Sequence, residues 1–432
     1  MPDVRSRVIE PSLAGFIDRT RHQVAVRLLP FLFVLYIINY LDRTSVAYAA
    51  IGMSRDLGFS ARVFGLGAGV FFVSYVALQI PGALLVERWS ARRIISATMI
   101  VWGSVTALTG LVHTPAQLFL ARFALGAAEA GFFPGVIVYL SHWFTPQDRA
   151  RATSSFMAAI PVSFVIGSPI AGWILGHRWF AIEGWRWLFL LEGMPAILLG
   201  IVAFFYLTDW PREATWLAPE QQQLIGTNLS EEQSHNAQAT SIRQALRSRT
   251  VLLLAAVTFL NYFESYSFFF WFPTMLKRQS GFSDVNVGLL GAVPYLVLFI
   301  AMQVNGLLSD RSHERHWHSA VPLFIAAAGF LGLITQPRSI PLSLSLSLFT
   351  MACMGSAYLP VFWAIPSEIL SKSTAAVAIG MINAVGSVAG FASPYLFGYL
   401  NTRTGSFSAG LAVLMVSAFG GGLLIVVTPK RA

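Results

Sequence analysis

Cysteine is almost absent from this sequence: Cys353 stands alone among 432 residues. A single thiol excludes an internal disulfide and any cysteine-held metal cluster, and its place in an apolar run reads as a packed core thiol. Charge is scarce too, with 11% Asp, Glu, Lys and Arg against 55% hydrophobic residues. With a mean hydropathy of +0.63, the chain is too apolar for a water-soluble domain and has the balance of an integral membrane protein. No phosphate-cradling Walker loop, dinucleotide glycine fingerprint or nucleophile–base arrangement is found. ATP-driven transport and enzymatic bond cleavage therefore lack support, and no cofactor is implied. Nor is a cleavable signal peptide apparent, because the first 25 residues are polar and Arg-rich and the apolar run after them is too long and too charged for one.

What the sequence has in quantity is apolar runs. Twelve can be counted: Arg27 to Tyr48, Val63 to Val86, Ile94 to Val112, Ala116 to Leu140, Thr153 to Leu175, Trp185 to Leu207, Val251 to Leu276, Val285 to Leu308, Ala320 to Thr335, Pro341 to Ile365, Ala375 to Leu400 and Phe407 to Val427. Most are near the roughly 20 residues that a helix needs to cross a bilayer. The expected fold class is all-α, a polytopic bundle of twelve transmembrane helices. The longest polar stretch divides them six and six, which predicts an N-terminal six-helix half over 1–207, a cytoplasmic linker over 208–250 and a C-terminal half over 251–432. Two similar halves about an axis along the membrane normal is a transporter layout.

The net charge of +9 would suit nucleic acid, but its distribution argues otherwise. With both termini inside, nineteen Lys and Arg fall on inner segments and eight on outer loops. This is the positive-inside bias, which sets orientation. The basic balance is topology, no nucleic-acid partner is expected, and both termini are placed in the cytoplasm.

Five charged side chains within the apolar runs are singled out: Asp42, Arg43, Arg122, Glu129 and Glu264. Each costs about 2.5–3.5 kcal/mol in hydrocarbon, so such groups pair or face a water-filled cavity. On a helix, Tyr36, Asn39 or Tyr40, and Arg43 recur every three to four residues and form one polar stripe. Arg43 is suited to grip a carboxylate through two parallel N–H bonds. Its alternative is a buried ion pair that fixes helix packing, with neighbouring Asp42 an awkward partner because adjacent helical positions point about 100° apart. Arg122 and Glu129 lie two turns apart, by about 10 Å of rise, so each is expected to partner another helix, Asp42 with Arg122 first. Glu129, followed by Gly131 and Pro134, falls in a partly dry setting that suits a carboxyl to load and release a proton near neutral pH. The alternative is a structural Glu129 bonded to a neighbouring helix.

Further cavity candidates are Tyr75 and Gln79 at i and i+4, Asn261, Tyr262, Glu264 and Tyr266 in the seventh run, Phe362 and Trp363 in the tenth, and Asn383 with Ser387 in the eleventh. Aromatic residues among these serve equally as core or lipid-facing packing. Two loops repeat an acid–Arg pair after the second helix of each half, Glu87-Arg88 with Arg92 and Asp310-Arg311. They read either as a conformational latch or as ordinary basic inner loops. His313, His316 and His318 cluster in one such loop, where Arg311 and Arg315 repel a cation and argue against a metal site.

Asn39-Tyr40-Leu41-Asp42-Arg43, the pattern Arg122-x3-Gly126-x2-Glu129-Ala130-Gly131-x2-Pro134 and the paired acid–Arg loops resemble the anion:cation symporter family of the major facilitator superfamily, over essentially the full chain. Within it the sequence looks like the bacterial carriers of 4-hydroxyphenylacetate, phthalate and tartrate, with Trp187-Leu188-Phe189-Leu190-Leu191-Glu192-Gly193, Ile382-Asn383-Ala384 and Thr404-Gly405-Ser406-Phe407 adding to the likeness. Ser90 stands where the first loop motif usually has Gly, and Glu87 where Asp is usual, which puts the strength of the latch in question. The resemblance implies a proton-coupled symporter that imports a small organic anion, an aromatic or hydroxy carboxylate, by alternating access in a bacterial inner membrane. It implies Asp42 and Glu129 as proton-coupling acids with Arg122 modulating them. The substrate set then reads Arg43, Tyr40, Tyr36, Tyr75, Gln79, Asn261, Glu264, Trp363 and Asn383. Sodium symport or anion exchange, of sugar acids or dicarboxylates, is the alternative, and a transporter-like sensor a further one. The expected partners are the anion, protons and the lipid bilayer, with one chain sufficient for function.

Overall fold

The computed structural model describes residues 5–235, 248–337, 341–366 and 372–428, with residues 5–14, 80, 83, 87, 88, 146, 147, 150, 228, 230–235 and 372–378 described by backbone alone. The helices in chain order are α1 Arg5–Leu57, α2 Ala61–Arg88, α3 Ala91–Thr109, α4 Pro115–Glu129, α5 Phe132–Ser141, α6 Pro146–Met157, α7 Ala159–Leu175, α8 Gly184–Tyr206, α9 Pro219–His235, α10 Arg249–Ser280, α11 Asp284–Ser312, α12 His316–Thr335, α13 Leu342–Cys353, α14 Leu359–Phe362, α15 Lys372–Thr404 and α16 Ser408–Val427. Among the described residues, eleven stretches are long and apolar enough to span a membrane. The twelfth expected run corresponds to α3, which carries Arg92 and Arg93 in its first turn and packs between α8 and α4. The all-α polytopic fold is the one read from the sequence.

Short connections are possible because the helices start and stop sharply. Ser60, Ser90, Thr114, Ser248 and Ser283 each accept a hydrogen bond from the N–H three residues on, which satisfies donors that the first turn leaves free. Gly58, Gly281 and Gly405 hold φ near 68°, 66° and 68° in the connections, left-handed values that glycine takes without strain.

Three details differ from the run boundaries. α1 begins far ahead of Arg27, and its leading turns are held by an Arg21–Asp148 ion pair of 3.1 Å and by Gln221, which donates to Thr20 Oγ1 and Gln23 Oε1. The fourth run breaks after Glu129, where Ala130 and Gly131 part α4 from α5. The tenth breaks at the 3₁₀ turn Met354–Tyr358.

Close approach of backbones fixes where the charged residues sit. A Cβ on Gly126 of α4 would lie 2.1 Å from the Phe71 carbonyl oxygen of α2, and the Ser74 hydroxyl donates across the same contact to Phe123 O at 2.7 Å. Gly126→Ala is expected to lower the melting temperature in detergent by several degrees, because overpacking costs about 1–3 kcal/mol. An unchanged melting temperature would show that α2 and α4 are free to separate.

A second set of glycines joins α1–α8 to α10–α16 at one end of the bundle, the end carrying loops 58–60, 176–183 and 281–283. A Cβ at Gly65 would meet Pro394 O at 2.5 Å, and one at Gly172 would meet Gly288 Cα at 2.7 Å. Ser168 Oγ donates to Gly288 O at 2.6 Å in the same seam. Further along α15, toward the opposite end, Gly380 is exposed with open space around it. The two sets of helices are therefore in backbone contact at the first end.

Candidate functional site

A cavity lies between the two sets of helices, with about 1280 Å³ of empty space when the open solvent at its mouth is included. Tyr36, Tyr40 and Arg43 reach it from α1, as the three-to-four-residue stripe requires, and Tyr75 and Gln79 reach it from α2. Arg122 enters from α4, Tyr262 and Tyr266 from α10, and Asn383 and Ser387 from α15. Tyr262 donates to Asn383 Oδ1 at 3.2 Å, tying α10 to α15.

Arg43 is the centre of the arrangement. Its Nε donates to Glu129 Oε2 at 2.7 Å, and Asn39 Nδ2 donates to the same oxygen at 2.9 Å. The guanidinium lies 4.7 Å from the Tyr75 ring centroid and 5.3 Å from that of Tyr40, within cation–π range. Its two terminal nitrogens make no hydrogen bond among the described residues, and the side chain keeps 13% exposure to the cavity. Glu129 is fully buried behind it. The helix break after Glu129 and the Gly126 contact bring this acid level with Arg43 on α1.

The expected Asp42–Arg122 pair is replaced by this Arg43–Glu129 pair. Arg122 instead donates from Nε to Gly67 O at 3.4 Å and lies over Phe71, 4.7 Å from its centroid. Asp42 points behind the cavity, buried, with neither oxygen hydrogen-bonded among the described residues. The cause is the 100° step between adjacent helical positions: with Arg43 in the cavity, Asp42 turns toward α3 and α8.

Three residues expected on the cavity are elsewhere. Asn261 is buried against Gly421, whose Cβ would approach its Oδ1 to 2.2 Å, and Glu264 fills the notch at Gly355, where a Cβ would lie 2.8 Å from Oε2. The face of α10 that meets the cavity holds Tyr262, Ser265, Tyr266 and Phe269, so positions 261 and 264 are turned away by helical period. Trp363 packs edge-on against Phe362 with centroids 5.5 Å apart and stays off the lining. Conversely, Phe133, Met157, Phe164, Ser356 and Tyr358 line the cavity without any charge or motif to single them out.

Among the described residues, Arg92 and Asp310 find partners within their own set of helices. The Arg92 backbone N–H donates to Asp209 at 2.8 Å, and Asp310 pairs with Arg315 at 2.6 Å within its own loop. Arg311 is exposed, while the side chains of Glu87 and Arg88 lie outside the described residues.

The model of the Major Facilitator Superfamily matches residues 32–394. The chain is a member of that superfamily. Among similar proteins, one from Agrobacterium vitis named for tartrate transport is 38% identical over 420 residues, covering 95% of this chain and 92% of its own. Another, named for metabolite transport, is NicT of Pseudomonas putida KT2440, 36% identical over 417 residues and covering 95% and 94%. The inward open xylose transporter XylE from E. coli superposes with a TM-score of 0.74 at 14% identity, covering 94% of this chain and 97% of its own, which shows the shared fold. This facilitator is thus a multi-pass membrane transporter and not an enzyme.

Proposed function

We infer that this facilitator is a secondary carrier that imports a small organic anion together with protons. The observation that carries the reading is Arg43, held at one edge by a buried carboxylate and presenting its remaining donors to the cavity. An arriving carboxylate competes with Glu129 for one guanidinium. Protonating Glu129 weakens its hold, because a neutral carboxyl gives up the charge-assisted bond, and Arg43 turns its full fork to the substrate. Charge in the dry site then stays nearly balanced when the anion enters, and the helices rock around the loaded cavity. Tyr36, Tyr40, Tyr75 and Gln79 surround the bound carboxylate, and Tyr262, Asn383 and Ser387 meet its far end. The aromatic lining and the names of the relatives favour an aromatic or hydroxy carboxylate.

The rest of the assignment follows from the same reading. The halves are 1–207 and 251–432 about the linker 208–250, both termini face the cytoplasm of a bacterial inner membrane, and a single chain works alone. Arg92, Asp310 and Arg311, with Glu87 and Arg88, engage across the open end only when it shuts.

The test is uptake of labelled 4-hydroxyphenylacetate, phthalate, tartrate and a sugar acid into proteoliposomes under an inward proton gradient, with a protonophore control. Protonophore-sensitive accumulation of one of them is the expected result. Counterflow from preloaded vesicles with no response to the gradient would replace proton coupling with exchange, and dependence on sodium would replace the coupling ion.

A further inference from the structure

Away from the cavity, an open pocket lies where the leading turns of α1 meet the end of α8 and the segment after it, with about 1130 Å³ of empty space when open solvent at its mouth is included. The anion site does not use it. Arg19, His22, Val26 and Arg27 enter from α1 at steps of mostly three and four residues, which keep them to one side of the helix, and Tyr206 and Trp216 form the facing wall. The pocket sits at a membrane boundary, because α8 ends at Tyr206 and Arg27 opens the apolar run that crosses the membrane as α1. Arg27 is held in place there. Its guanidinium carbon lies 4.8 Å from the ring centroids of both Tyr206 and Trp216, within cation–π range. Each ring is pinned in turn: Tyr206 packs on Phe31 with centroids 4.5 Å apart and its hydroxyl donates to Arg27 O at 2.9 Å, while Trp216 stacks on Trp143 at 5.4 Å. Yet the guanidinium makes no hydrogen bond and no ion pair among the described residues, and the Trp216 indole Nε1 has no acceptor there either.

A guanidinium fixed by aromatic faces keeps its edge for an acceptor, and that planar fork of N–H donors matches the oxygens of a phosphate. Charge narrows the choice. Asp18 is the one acid in the lining and forms no ion pair with Arg19, His22 or Arg27 among the described residues. With His22 neutral, the two arginines against Asp18 leave one positive charge, which a monoanionic phosphodiester cancels. The border of the pocket is apolar: Val26 is 57% exposed and Phe205, beside Tyr206 in the chain, is 78% exposed. Such surface suits the acyl chains that a lipid phosphodiester brings with it, and basic pockets between helices at the membrane surface take anionic head groups. A free phosphate would leave that apolar border unused.

We propose that this pocket holds the head group of an anionic phospholipid, with Arg27 gripping the phosphodiester, Arg19 adding charge at the mouth and the acyl chains lying over Val26 and Phe205. The head group ties α1 to α8 and to the segment carrying Trp216. It thereby steadies the leading turns of the helix that carries Arg43.

The experiment follows thermal unfolding of the full chain in detergent while it is titrated with phosphatidylglycerol, with phosphatidylcholine, or with glycerophosphoglycerol, the soluble head group without acyl chains. The variants are Arg27→Gln, Arg19→Gln and Arg403→Gln, the last removing an equal charge from an exposed site at the opposite end of the bundle. Phosphatidylglycerol is expected to raise the melting temperature of the wild type, and the other two compounds are expected to leave it in place. Apparent affinity for phosphatidylglycerol is expected to fall at least about tenfold in Arg27→Gln, which loses hydrogen bonds to a charged group. It is expected to fall about fivefold in Arg19→Gln, which loses one surface charge, and to match the wild type in Arg403→Gln. A wild type that ignores phosphatidylglycerol, or that responds equally to phosphatidylcholine, overturns the proposal, as does wild-type affinity in Arg27→Gln. An equal response to glycerophosphoglycerol overturns the lipid and makes a soluble phosphate ester the occupant. Should Arg27→Gln fail to fold, Arg19→Gln decides, since its side chain is exposed, and an unchanged affinity there overturns the site.

Discussion

Arg43→Ala is expected to bind the transported anion at least about 30-fold more weakly, since truncating one partner of a buried hydrogen-bonded charge pair costs about 2–5 kcal/mol and each 1.4 kcal/mol is about tenfold. The same change leaves Glu129 buried without its ion-pair partner, with Asn39 its one remaining hydrogen-bond donor among the described residues. Breaking such a pair costs about 3–5 kcal/mol of stability, so loss of binding and loss of fold need separating. The double variant Arg43→Ala with Glu129→Gln separates them. It is expected to recover melting temperature in detergent, having no isolated charge, and to remain unable to bind. Binding restored together with stability would show that Arg43 serves packing and that another group holds the anion. Arg43→Lys is expected to fall between, because an ammonium keeps the charge and loses the planar fork.

Glu129→Gln is expected to give a carrier that exchanges but does not concentrate. The amide keeps an oxygen for Arg43 Nε and Asn39 Nδ2, so the shape of the site survives. What disappears is the switch between a charged and a neutral partner for Arg43. Counterflow should persist, while accumulation under an inward proton gradient should fall to the level reached without one. Substrate affinity should also lose its dependence on pH, since the competing carboxylate is gone. Protonophore-sensitive accumulation by the variant would remove Glu129 from the coupling machinery and leave it a structural anchor for α1.

These two residues also show what a sequence can disclose. The helical bundle was legible because its cause is local: apolar runs of spanning length and polar caps at their ends. The α1 stripe was legible for the same reason, since Tyr36, Tyr40 and Arg43 follow one helical period and meet the cavity together. Partner choice was not. Arg43 meets Glu129 through a helix break at Ala130–Gly131 and a backbone contact at Gly126, neither of which periodicity predicts. On α10 the polar residues follow no single stripe, so Asn261 and Glu264 look as cavity-bound as Tyr262 until packing against Gly421 and Gly355 settles the rotation. Glu192 is different. The five-charge reading passes over it, although a lone acid in the 23 residues of α8 meets the same test that singles out Glu264.

The glycine seam carries one more consequence. One end is joined by backbone against backbone at Gly65–Pro394 and Gly172–Gly288, and no ion pair crosses it among the described residues. The opposite end carries the charged loops at Arg92, Asp310 and Arg311. Salt screens exposed charges over about 8–10 Å at physiological strength and leaves van der Waals contact untouched. The two ends are therefore expected to obey different variables: ionic strength should tune how readily the charged loops engage, while the glycine seam, held by backbone contact and the Ser168–Gly288 hydrogen bond, should not respond to it. High salt inside the vesicle and high salt outside should accordingly have unequal effects on turnover.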